Sequence, residues 1–165
     1  MFNFFKKDNN PETGLLTKCA TIYISDKFKH VIIARCYENN AGIIYEQDAC
    51  FTSDYPIDLT NFGEEIINSL NLYSVKDKNL RDSKLTDWPA YNQSKCKSVA
   101  SFEKEYIPIS VCSANNSNLV LILEGRPFEN SELTINSSIS FHADKQELGE
   151  RIKDVYDACL TGKLF

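Results

Sequence analysis

A chain of 165 residues, 42% hydrophobic and 25% charged, is large enough to bury one core without disulfides or a metal, and its composition is not that of a disordered chain. No run approaches the about 18 apolar residues of a membrane span, and the cluster Phe2, Phe4, Phe5 precedes its lysines and is too short for the core of a secretory signal, so a cytoplasmic protein is expected. The net charge of −5 is uneven: from Cys36 to Val75 there is no Lys or Arg against seven acids, Glu38, Glu46, Asp48, Asp54, Asp58, Glu64 and Glu65, which disfavours nucleic acid as a direct partner and favours a basic protein.

After a polar start through Gly14, read as mobile, Ala20, Ile22 and Ile24 alternate with Thr21, Tyr23 and Ser25 and predict a strand over 17–25 with one buried face. Asp26 and Lys27 mark a turn, and the β-branched and aromatic run His30 to Tyr37 predicts a second strand. Asn39, Asn40 and Gly42 supply turn chemistry before a third strand, Ile43 to Phe51. Pro56 ends the extended run and Asp58 is placed to cap a helix over 58–71, in which Leu59, Phe62, Ile66 and Leu70 share a face.

From 71 to 97 periodicity is lost, predicting a long surface connection pinned by Trp88. Ser98 opens a short helix carrying Val99, Phe102 and Tyr106, and a hairpin follows from Ile107–Ser113 and Leu119–Leu123 around an Asn-rich turn. Gly125-Arg126-Pro127 ends the hairpin, and a strand is expected over Ile135 to Phe141. Asp144 with Glu147 predicts a capped last helix whose stripe is Leu148, Ile152, Val155 and Cys159, stopped by Gly162. Adjacent strands joined by short turns indicate an α+β fold, an antiparallel or mixed sheet of about six strands with three helices packed on it, in a single domain spanning 1–165.

Chemistry is sparse. Cys19, Cys36, Cys50, Cys112 and Cys159 lie in apolar periodic segments and are expected as reduced, packed thiols, and no Cys-x-x-Cys spacing suggests a metal. His30 and His142 are the only imidazoles; a metal-independent hydrolase or nuclease could use them as acid and base if they met, and Cys96 between Lys95 and Lys97 is a candidate nucleophile without an identified base. Glu64 with Glu65, or Asp54 with Asp58, fit a solvated helix N-terminus better than a metal site. The six glycines are scattered singly, so no phosphate-binding loop exists, and no cofactor is expected.

Lys97-Ser98-Val99-Ala100-Ser101-Phe102 opening a short helix, the Ile107 and Leu119 strands, the late strand at Ile139 and Glu147-Leu148-Gly149-Glu150 starting the last helix together resemble, over 95–160, immunity proteins of bacterial contact-dependent growth inhibition systems. The resemblance implies a small cytoplasmic protein, without catalytic residues, that neutralises the C-terminal toxin domain of an effector, frequently a nuclease. In some members an exposed strand edge pairs with the toxin. The expected contact residues, drawn from the acidic span and the connection, are Glu46, Asp48, Asp54, Asp58, Glu64, Glu65 and Trp88. A secretion chaperone, also small and acidic, is the other non-enzymatic alternative.

Overall fold

The computed structural model describes residues 17–77, 88–115, 117, 119–127 and 133–162. The start read as mobile and the middle of the 71–97 connection lie outside them. The first three runs form the antiparallel meander β1 (Cys19–Ser25), β2 (His30–Glu38) and β3 (Ile44–Asp54), followed by α1 (Leu59–Asn71). After the connection come α3 (Val99–Glu105), the strands β5 (Ile107–Ser113), β6 (Val120–Gly125) and β7 (Ile135–Ser140), and α4 (Lys145–Thr161). The connection itself carries two short elements that its lack of periodicity concealed: β4 (Ser74–Val75), parallel to β2, and α2 (Pro89–Gln93). The sheet order is β3-β2-β1-β5-β6-β7, so the α+β fold is as expected, with four helices in place of three.

Capping set the helix starts. Asp58 accepts from the Asn61 amide, Ser98 from Ser101 and Asp144 from Gln146, each satisfying a donor that the first helical turn leaves open. α1 and α4 lie together on one face of the sheet, where Ile22, Ile24, Val31, Ile33, Ile109 and Leu123 meet Phe62, Ile66, Leu148, Ile152 and Val155. The two helices approach backbone to backbone: a Cβ at Gly63 would sit 1.9 Å from the Lys145 carbonyl oxygen, and one at Gly149 2.2 Å from that of Leu59.

The other face is covered over β1 and β2 by α2 and α3, which set Ala90, Phe102 and Tyr106 against Tyr23, Ile32 and Ala34. This corrects the expectation that β1 has one buried face, for Tyr23 and Ser25 are buried as well as Ile22 and Ile24. Over β6 the same face is open: Val120 and Ile122 are exposed while Leu121 and Leu123 are buried.

Cys19 and Cys112 correct a second expectation. They stand directly opposite one another on β1 and β5 with Cα atoms 4.2 Å apart and form a disulfide across 93 residues of sequence. Cys36, Cys50, Cys96 and Cys159 are free thiols.

Candidate partner-binding surface

The residues expected to bind a partner do not form one patch. Glu46 turns inward from β3: one carboxylate oxygen accepts from the Tyr23 hydroxyl at 2.5 Å and the other from the Ala90 amide at 3.0 Å, tying β3 to β1 and α2. Trp88 packs edge-on to Phe102 with centroids 4.9 Å apart and to Tyr23 at 6.2 Å, so the indole does pin the end of the connection. Both residues serve the aromatic layer under α2 and α3.

A second group follows the end of β3 into α1. Asp54 is almost fully exposed, 3.9 Å from the Lys95 ammonium. Asp58 is occupied as the α1 cap, and Glu64 pairs with Lys145 at 2.6 Å across the α1–α4 contact. Glu65 is half-buried on α1.

Asp48 belongs to a third group. Between Ala34 and Cys36 the β2–β3 register slips, and Gln47, Asp48 and Ala49 bulge opposite Arg35, with the Gln47 amide donating to the Cys36 carbonyl at 2.9 Å and Asp48 thrown outward. Beside the bulge Tyr37 and Tyr45 face each other across the strands, their rings 5.8 Å apart and tilted by 57°. The chain returns here after α1: the Tyr45 hydroxyl donates to the Lys76 carbonyl at 2.9 Å, and the Lys76 ammonium lies 5.1 Å from the centre of the Tyr37 ring. Tyr37, Tyr45, Asp48, Lys76 and Asp77 thus line a shallow groove of about 160 Å³. Partial burial first, then Tyr37, Asp77 and Asp48, hold the Tyr45 phenol above its ordinary value. Glu46 and Asp48, which both line the groove, were expected; the rest depends on the segment 74–77 folding back beside β2.

The candidate catalytic groups are dispersed. His30 is buried at the start of β2, its Nδ1 2.9 Å from the Tyr106 hydroxyl, and burial first, then Lys95, lower its pKa against the opposing pull of Asp54. His142 follows β7, four strand spacings from β2, or roughly 19 Å at the usual inter-strand distance. The two imidazoles cannot share one substrate atom. Cys96 packs against the aromatic layer, and the ammonium of its neighbour Lys95 is spent on the Phe28 carbonyl. Among the described residues no cluster of three or more His, Cys, Asp or Glu could hold a metal, and no helix is long and apolar enough to cross a membrane.

No family model and no curated protein matches this chain. Solved structures do. A protein of unknown function, NMB0488 from Neisseria meningitidis, superposes with a TM-score of 0.64 at 12% identity, covering 90% of this chain and 99% of the other. A chain of the CdiA-CT/CdiI toxin and immunity complex from Yersinia pseudotuberculosis superposes with a TM-score of 0.65 at 10% identity, covering 89% and 99%. The likeness is one of fold. It covers about nine-tenths of this chain and nearly all of the others, whereas the sequence resemblance began only near Lys95.

Proposed function

We propose that this chain is an immunity protein that binds the C-terminal toxin domain of a contact-dependent growth inhibition effector, a basic nuclease, in the cytoplasm of the producing cell and holds it inactive without catalysing a reaction. The observation that carries the reading is the near-complete fold likeness to a chain of the CdiA-CT/CdiI toxin and immunity complex. The acidic span supports it: Asp48 and Asp54 stand exposed on β3, at one edge of the sheet, where they would steer a basic domain and accelerate its capture. β3 and β7, the two outer strands, are the edges at which the strand addition implied by the sequence resemblance would take place.

The test is isothermal titration of the chain with the C-terminal domain encoded immediately upstream, alongside a toxicity assay. A one-to-one complex that silences the toxin and weakens as salt rises is expected. Asp54→Asn should slow association; Glu64 is a poorer probe, because reversing it would set two cations together at Lys145. Absence of a complex would overturn the reading.

A further inference from the structure

We propose that the groove between Tyr37, Tyr45, Asp48 and Asp77 receives an arginine side chain of the protein partner, an inference that rests on the immunity reading for the identity of that partner. The groove's size decides against a small-molecule ligand. At about 160 Å³ it falls below the roughly 300–1,000 Å³ of ligand pockets and suits one side chain.

Its walls select a cation. Two tyrosine rings held opposite each other on β2 and β3 present π-faces at the surface, and a positive charge within about 6 Å of such a face is attracted by the ring quadrupole. The chain already demonstrates this by resting the Lys76 ammonium over Tyr37. Among the described residues no ion pair joins Lys76 to Asp48 or Asp77, so a cation of the partner can still reach the two exposed carboxylates at the rim. A planar guanidinium meets both demands at once, stacking on an aromatic face while its N–H fork reaches a carboxylate, which a compact ammonium does less well.

The first experiment uses the full chain, labelled with ¹⁵N, and a tetra-arginine peptide as the probe. Saturable shifts at the amides of Tyr37, Tyr45, Asp48 and Asp77 are expected, weaker with tetra-lysine and at least about tenfold weaker in affinity for Asp48→Asn/Asp77→Asn. That double variant touches only exposed carboxylates and leaves the fold intact; Tyr45→Leu, which also loses the bond to Lys76, is the second variant. Shifts spread evenly over the acidic residues, or undiminished in the double variant, would overturn the proposal. The second experiment titrates the upstream-encoded toxin domain, for which the double variant should again lose about tenfold in affinity. Equal affinity of wild type and variant would overturn the groove and leave the immunity reading standing. If the wild type forms no complex the immunity reading falls, and the peptide titration alone decides the groove.

Discussion

Glu46 shows why an acid in an acidic span need not be a contact residue. Its two oxygens accept from Tyr23 and Ala90, both buried, so truncation would take the acceptor from a buried hydroxyl and a buried amide. Glu46→Ala should therefore cost about 1–3 kcal/mol in a urea titration. Glu46→Gln should cost much less, because the amide oxygen can still accept from Ala90 while the hydroxyl of Tyr23 turns round to accept from the new NH₂. Equal losses for the two variants would mean that charge, not hydrogen bonding, holds the site. His30 provides a pH signature. Its folded pKa lies below the ordinary value, so its contribution to stability is complete above about pH 6.5 and is lost as pH falls through the lowered folded value, where the unfolded chain binds the proton that the folded chain refuses. Urea midpoints followed from pH 7.5 downward should drop more steeply for the wild type than for His30→Gln. Parallel curves would show that the imidazole is as easily charged in place as in the unfolded chain.

At the scale of elements, local chemistry was legible and coverage was not. The caps Asp58, Ser98 and Asp144 and the strand Ile107–Ser113 could be read because each depends on a few consecutive residues. Which sheet faces are covered depends on where distant segments return. The polar-looking face of β1 is buried because α2 and α3, some 70 residues later, lie on it, whereas the apolar run of β6 leaves Val120 and Ile122 open because no described helix reaches that far. The same limit hid the Tyr37–Tyr45 groove, which needs both the β2–β3 register and the return of Lys76. The glycines at the α1–α4 contact were equally silent in sequence, since a glycine in a helix has no single meaning. In the fold they allow two backbones to touch, and an added methyl at Gly149 would collide with the Leu59 carbonyl, a backbone atom that cannot rotate away. Gly149→Ala should cost about 1–3 kcal/mol despite the better helix propensity of alanine. A stabilised variant in thermal denaturation would mean that the helices part without loss.

The whole molecule is two antiparallel units, β1 to β3 and β5 to β7, joined along the β1–β5 ladder and bridged on one face by the contact of α1 with α4. The Cys19–Cys112 bond crosses that ladder at one end, closing a segment with a sequence separation of 93, so its effect falls on the entropy of the unfolded chain. Opening it should cost about 2–4 kcal/mol, or about 4–16 °C in Tm for a chain of this length. Glutathione and thioredoxin keep most cytosolic thiols reduced, so in the compartment proposed for this protein the pair would stand as two thiols packed against Cys36 and Tyr73. The remaining five residue pairs of the ladder and the shared core must then hold the halves together, and the reduced chain should still unfold in one cooperative transition. Melting with and without reductant, after mass spectrometry has shown the bond open, tests both statements, with Cys112→Ser melting where the reduced wild type does and ignoring the reductant. Two separate transitions in the reduced chain would mean that the covalent link, not the β1–β5 ladder, unites the two halves, and that the protein needs an oxidising compartment to be whole.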